Sequence, residues 1–501
     1  MHQALLYPEV LLDIFTHVND ILDPSYAEKS LARKSFAALA TTCRAFHEPA
    51  MDSLWAEIDR LEPLLGCVTR LHPLIYHSDR IWDDSQWAEG IEPLSADEAR
   101  QFLRHSTRIR SLEVLSHRLF LLLSVIPVEA YVFPRLRSLT LSTEYLDLFM
   151  SHTLRRRYLV TVNEDLQSIM TRCAALEHLS VNASDDSIAD ESTADELSLL
   201  SKSVCLCKRL VTLCCPLLDW TAWKHLSNLP TLLRVEVGDT NSDSDLPWPL
   251  GRDIVNFSPF LNVTALSFLM HSAAYVITFM QHSQFPSLKE FKMDVDFLYS
   301  SEPEQLFRAL SQCNTRRTLE SVIICSFDPG SQDAPDNYLS AIPHFLCFTQ
   351  LRTLELAVFD SCIYLDNDIL LEAMSTWPHL RNLEIKDSRL RPSPVTFRGL
   401  FTALRLCPQL LELRISIDTA NIDIDPDTEP IQYNSLRILE LDPSEFVIAN
   451  PEALARIILA WLPCVDRVSA SAFARNWDKV NMHLKSLKDS ALHVAGASSN
   501  N

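Results

Sequence analysis

Cys205, Cys207, Cys214 and Cys215 form the densest group of metal-capable side chains in the sequence. Thiolates hold zinc when four of them can close a tetrahedron, usually as two spaced pairs. Their C-x-C-x6-C-C spacing fits no common zinc pattern, and Cys207 and Cys215 fall on recurring apolar positions, so packing in a core is the expected role. Asp423, Asp425 and Asp427 alternate as calcium ligands do, but the loop glycine and the terminal bidentate acid are missing. The 16 histidines contain no HExxH, and no Ser-His-Asp or Cys-His set stands out. The 7 glycines (Gly66, Gly90, Gly238, Gly251, Gly330, Gly399 and Gly496) are all isolated, and a phosphate-cradling loop needs them close together. Neither a catalytic residue nor a metal or other cofactor is expected.

Composition narrows the remaining classes. With 44 basic and 65 acidic residues the net charge is −21, which opposes a broad nucleic-acid or anionic-membrane surface and suits partners with basic patches. A hydrophobic content of 47% over 501 residues demands a large core. The 13 cysteines form no compact framework and read as reduced thiols of a reducing compartment. The opening twenty residues carry Glu9, Asp13 and Asp20 without a basic leader region, which is a poor signal peptide. The apolar run LFLLLSVIPV between Arg118 and Glu129 is shorter than the roughly 20 residues of a membrane span. A soluble chain of the cytoplasm or nucleus is therefore expected, with the N-x-S/T matches at Asn182, Asn256 and Asn262 carrying no glycan.

The elements that must carry any site come from a repeat. FPRLRSLTL from Phe133, CAALEHLSV from Cys173, FPSLKEFKM from Phe285, FTQLRTLEL from Phe348, WPHLRNLEI from Trp377, CPQLLELRI from Cys407 and YNSLRILEL from Tyr433 all contain L-x-x-L-x-L or a near variant. Weaker copies begin at Ile109, Leu210, Leu232, Val263, Leu319 and Val465, at intervals of 22 to 40 residues. The alternation in each phrase, such as Leu354 and Leu356 around Glu355, predicts a strand with one face buried. Helical signals lie between: Ser95 with Glu98 is a capping box, and Pro451 with Glu452 suits a first turn. One strand and one helix cannot stand alone, so the units must stack.

These phrases resemble the leucine-rich repeat over residues 100 to 470, although its ninth-position Asn or Cys is replaced by Glu144, Ser184, Phe359, Ser388 and Asp418. The resemblance implies an α/β fold: an irregular strand-helix solenoid, or horseshoe, with a parallel sheet on its concave face. A closed or open α/β domain is the alternative, and would favour longer apolar strands and glycine-bearing turns.

At the N-terminus, Pro8 and Glu9 suit a helix start, while Leu11, Phe15 and Val18 share a face flanked by Val10 and Ile14. Leu6, Pro8, Glu9, Leu11, Leu12, Ile14 and Phe15, then Leu39, Cys43, Arg44 and Phe46, then Leu54 and Trp55, resemble an F-box. Tyr7 stands where Leu is usual, and the interval from Phe15 to Leu39 is longer than in compact members. The resemblance implies docking on a Skp-type adaptor and a cullin scaffold, within a ubiquitin ligase that this chain would enter as one monomeric subunit. It also implies that Leu6, Pro8, Glu9, Leu11, Leu12, Ile14, Phe15, Leu39, Cys43, Phe46, Leu54 and Trp55 contact the adaptor. The alternative is a helical cap on the exposed end of the stack.

The expected organisation is a helical module at 1–60, a helical linker or cap at 61–105, the repeats at 106–475 and a C-terminal segment at 476–501. Fifth-position residues of successive repeats, Glu355, Glu384, Arg414 and Glu440, should line up on the concave face about 4.8 Å apart. They form either a solvated charged face or an acidic groove for a basic segment of a protein substrate. Arg352, Arg381 and Arg437, at the second position, are expected to offset the like charges.

Overall fold

The computed structural model describes residues 10, 13–15, 26–76, 90–114, 117–126, 132–141, 149, 151–159, 166–181, 194–238, 257–298, 301–327, 338–358, 362–387, 393–424, 432–443, 448, 450–469 and 475–498. The chain divides into two compact units, Met1–Ala222 and Trp223–Asn501.

The first unit begins with helices α1 (Tyr26–Thr42) and α2 (Arg44–Ala56). The Thr41 and Thr42 hydroxyls turn back onto the carbonyls of Ala38 and Leu39, taking up acceptors that a helix end leaves open. Cys43 then adopts an extended backbone and breaks the run before α2. Phe15, Ala32, Phe36, Ala40 and Ala50 form a small core of this module, with Leu39, Phe46, Met51 and Leu54 packed against it.

From there the chain lays down short strands: β1 (Glu57–Ile58), β2 (Ser111–Val114), β3 (Ser138–Leu141), β4 (Arg156–Leu159), β5 (His178–Val181) and β6 (Thr212–Cys215). Each pairs in parallel with the next. Helix α3 (Ala96–Phe102) precedes β2, while α4 (Leu166–Arg172) and α5 (Ala194–Val204) stand between later strands. The capping box at α3 forms, with Ser95 accepting from the Glu98 amide and the Glu98 carboxylate accepting from the Ser95 amide. Arg70 adds an ion pair to Glu98 at 2.7 Å. Together the Arg70 hydrogen bond and the Ser95 amide hold the Glu98 carboxyl down at about 2, against an ordinary 4.5. A depressed carboxyl stabilises the fold fully above its ordinary value and loses that contribution as pH falls toward 2. Glu98→Gln should therefore show a shallower fall in melting temperature between about pH 5 and pH 2 than the parent does; superimposable melting curves across that range would refute the contribution.

The second unit holds α6 (Trp220–Ser227) from its residue 223 onward, then β7 (Arg234–Gly238), β8 (Ala265–Ser272), α7 (Ala274–Gln281), β9 (Glu290–Phe297), α8 (Glu302–Gln312) and β10 (Ser321–Ser326). β11 (Tyr338–Leu339), α9 (Ile342–Phe345), β12 (Thr353–Val358), β13 (Cys362–Ile363), α10 (Asn367–Thr376), β14 (Asn382–Asp387), α11 (Phe397–Leu404) and β15 (Glu412–Ile417) follow. β16 (Ile438–Pro443), α12 (Pro451–Trp461), β17 (Val468–Ser469) and α13 (Arg475–Ser498) complete it. Strands run β7-β8-β9-β10-β12-β14-β15-β16-β17, all parallel, while β11 and β13 pair separately.

Burial alternates along strands such as β10 and β15. A doubly covered parallel sheet buries both faces. Here one face carries the leucines into the core and the other meets solvent, as a leucine-rich-repeat-like stack requires. The residue opening four of these phrases also packs inward: Phe285, Phe348, Trp377 and Cys407 are fully buried. Buried thiols join repeats, with Cys407 donating to the carbonyls of Trp377 and Leu380, and Cys313 to those of Met280 and Ala309. Burial pushes these thiols up, to about 11 for Cys407 and about 12 for Cys313.

Gly399 explains one of the few glycines. A Cβ there would lie 1.9 Å from the Asn367 carboxamide oxygen, which accepts from the Thr396 amide and so fastens the start of α10 to the start of α11. Gly399→Ala should cost about 1–3 kcal/mol through overpacking, read from chemical unfolding, and Gly399→Ala/Asn367→Ala should recover part of it. No recovery would place the cost elsewhere.

Candidate functional site

Because side chains alternate along a strand, third- and fifth-position residues share the uncovered face of the second unit. Strand register sets Glu355 beside Glu384, Glu384 beside Arg414, and Arg414 beside Glu440, across β12, β14, β15 and β16. The row extends the other way through Ile323 to Lys292.

Three of its members form a chain of ion pairs. Arg414 lies 2.9 Å from Glu384 and 3.4 Å from Glu440, bridging two strands. Lys386 reaches back to Glu384 at 2.5 Å. Glu384 is only 9% exposed, and at such burial a carboxylate without cations would be expensive. Lys386 and Arg414 are therefore integral to the row. Farther along, Lys292 pairs with Asp294 at 2.6 Å, and Cys325 faces Glu355 at 3.6 Å. Burial first, then Glu355 and Asp294, push the Cys325 thiol up to about 12, so it acts as a weak donor and not as a nucleophile.

The sequence places the four charged residues together, but the compensation differs from expectation. Arg352 pairs with Glu320 at 3.3 Å, at the strand entrance, and does not reach Glu355. Countercharge comes from inside the row, from Arg414, and from the seventh position, from Lys386. Lys292 holds the fifth position of FPSLKEFKM, inside the repeating phrase, whereas Lys386 and Asp294 went unrecognised because that phrase ends at the sixth position. Their signal was the alternation itself, continued two residues further.

In the first unit, the described residues of the opening stretch are Val10 and 13–15, all helical. Leu6, Pro8, Glu9, Leu11 and Leu12 lie outside the described residues. Ile14 is 39% exposed and Val10 36%. Phe15, expected at the adaptor surface, instead turns inward at 3% exposure, its ring centroid 5.8 Å from Phe36 and 6.4 Å from Phe46. Leu39, Phe46 and Leu54 back the same core. Trp55 stacks on His105 at 4.4 Å, and burial lowers the His105 pKa, favouring the neutral ring. Arg108 binds Asp52 and Glu48, fastening α2 to the segment that leads into β2. Cys43 lends its carbonyl to the amides of Phe46 and His47 and acts as a helix junction.

Of the residues weighed for metal binding, Cys207 is buried with its thiol 3.5 Å from the Met170 sulfur, and Asp423 accepts the Arg398 amide at 2.9 Å. Asp425 and Asp427 lie outside the described residues. Among the described residues no group of three or more His, Cys, Asp or Glu side chains could hold a metal ion. Nor, among them, is any helix long and apolar enough to cross a membrane.

No family model matches the sequence, and no curated protein matches it. Among solved structures the chain is similar to one of a TLR13–ssRNA13 complex, at 12% identity and a TM-score of 0.26, over 75% of this chain. The chain spans 62% of the length of that protein.

Proposed function

We propose that this chain is the substrate receptor of a cullin-based ubiquitin ligase, docking a Skp-type adaptor through an N-terminal F-box and a target protein through the open sheet face. The observation that carries the reading is the helical module. Phe15, Phe36 and Ala50 give it a core of its own, while Val10 and Ile14 remain outside that core and available to a partner. An apolar surface on a helical module suits helix-to-helix docking. The Glu384 row, in which acidic groups outnumber basic ones, suits a target segment bearing Lys or Arg. Such a receptor would perform no bond chemistry. It would raise the effective concentration of a target lysine near the conjugating enzyme.

A second reading, an adaptor-independent protein-interaction scaffold, draws on the Trp55–His105 stack and the Arg108 ion pairs, which fasten α2 as an end cap would. Copurification of the full chain with a Skp-type adaptor separates the two. Wild type should copurify stoichiometrically, and Ile14→Asp should weaken the complex by about tenfold or more while the melting temperature holds. Truncation at residue 60 is a poor control, since it removes β1 from the edge of β2. A folded wild-type chain that captures no adaptor would leave the scaffold reading standing.

A further inference from the structure

Two excursions from the main ladder of the second unit, one before α9 and one before α10, pair with each other as β11 and β13. Alternation decides what they show to solvent. Leu339, Ile363 and Leu365 turn inward, each 7% exposed, and the Leu339 carbonyl accepts the amides of Ala341 and Tyr364, which pins the pair. Tyr338 and Tyr364 turn outward, at 61% and 37% exposure. Their ring centroids lie 5.8 Å apart with the planes at 88°, so the two rings form a right-angled corner that water reaches.

The Tyr364 hydroxyl donates to Asp366 Oδ2 at 2.9 Å, while Asp366 Oδ1 caps α10 by accepting the Ile369 amide at 2.8 Å. The cap answers the positive end of that helix, and Asp368 adds a second carboxylate in its first turn. The Asp366 hydrogen bond first, then the nearby negative charges, push the Tyr364 hydroxyl up, so its ring remains a neutral phenol. Among the described residues no cation pairs with either carboxylate. Cross-strand packing alone would account for two rings in contact. An exposed tyrosine corner beside a carboxylate does more, because ring faces and negative charge together attract a cation.

We propose that this corner binds a methylated lysine displayed on a partner protein, its dimethylammonium head against the faces of Tyr338 and Tyr364 and its one N–H toward Asp366. The quadrupole of each ring draws a cation that comes within about 6 Å of the centroid. An unmodified ammonium is compact and strongly hydrated, so open rings repay little of the water it would lose. Methyl groups spread the charge and bring apolar surface that the rings accept more readily than water does. A guanidinium is flat and stacks on one face, which leaves the other wall of a right-angled corner unused. The carboxylates turn away phosphate and acidic side chains. The corner uses none of the residues on which the ubiquitin-ligase reading rests, so the two stand or fall separately.

The test is retention of the full chain on immobilised libraries of short peptides centred on Nε,Nε-dimethyllysine, on lysine or on arginine, which carry the same charge. Retention should favour dimethyllysine over the other two by about tenfold. Tyr338→Leu/Tyr364→Leu keeps apolar bulk without ring faces and should abolish the preference, whereas Tyr338→Phe/Tyr364→Phe should keep most of it. Asp366→Asn retains a capping side chain and loses the charge, so it should lower the preference about threefold or more with the melting temperature held. That variant carries the test if the leucine pair does not fold. Equal retention on the dimethyllysine and lysine libraries, no retention, a preference for arginine, or a preference unchanged in the leucine pair or in Asp366→Asn would overturn the proposal. Retention on phosphatidylcholine vesicles in place of peptides would also overturn it and give the corner to a lipid headgroup.

Discussion

Trp223→Ala lowers the stability of the Trp223–Asn501 unit by about 3–5 kcal/mol, the range for removing a large buried aromatic. Trp223 is fully buried, and its ring centroid lies 4.1 Å from Phe279 and 6.0 Å from Phe260. Phe260 stacks in turn on Phe285 at 4.9 Å, so the hole would open in a continuous aromatic cluster spanning α6, α7 and the turn before β9. The indole N–H also donates to the Tyr275 hydroxyl at 2.5 Å. Trp223→Phe keeps most of the packing and loses the donor, for about 1–2 kcal/mol. In calorimetry the alanine variant should lower the transition of this unit by on the order of 10 °C. A shift of only a degree or two would mean that these rings are not packed as described.

Arg414→Glu is the second large effect, about 2–3 kcal/mol of destabilisation. Removing one partner of a buried pair costs more than that range, but Arg414 is 32% exposed and solvent screens part of the change. The reversal would align Glu355, Glu384, residue 414 and Glu440 as four adjacent carboxylates, with Lys386 the one remaining cation of the Glu384 cluster described above. Arg414→Met should cost about 1 kcal/mol, because it removes the bridge without adding charge. Two further readings isolate electrostatics. High salt should recover part of the loss in Arg414→Glu, and the exchanged pair Arg414→Glu/Glu384→Arg should recover more of it. A charge-reversed protein as stable as its parent in chemical unfolding would remove the ion-pair chain from any account of this face.

Most strands were legible because L-x-x-L-x-L has one buried face and the phrase recurs. β4 was missed for a physical reason. It reads Leu154-x-x-Arg157-x-Leu159, with arginine in the place of the central leucine, and Arg157 is buried at 1% exposure despite its charge. Desolvation lowers that guanidinium to about 10. The clue was the 40-residue interval between Leu136 and Leu176, the longest in the series, which conceals a whole repeat. β1 was missed because its phrase, Trp55-x-x-Ile58, overlaps the end of α2. The Glu384 row was legible because its members share one position in the phrase. Near the N-terminus, apolar residues on a wide helical face do not say which will turn inward, as Phe15 does.

The pairing order has a consequence for how the chain comes into being. Within each unit every strand of the main ladder pairs with its neighbours in that series, and the phrases recur every 22 to 40 residues. No strand must wait for a distant part of the chain, so loop-closure entropy stays small at each step. A nascent polypeptide can therefore add one rung at a time as it leaves the ribosome, each finished strand serving as template for the next. Growth of this kind advances one edge of the ladder at a time. In the second unit that edge ends at β17, two residues long and packed beneath α13, where Asn481 takes both the amide and the carbonyl of Val468 and stops further addition.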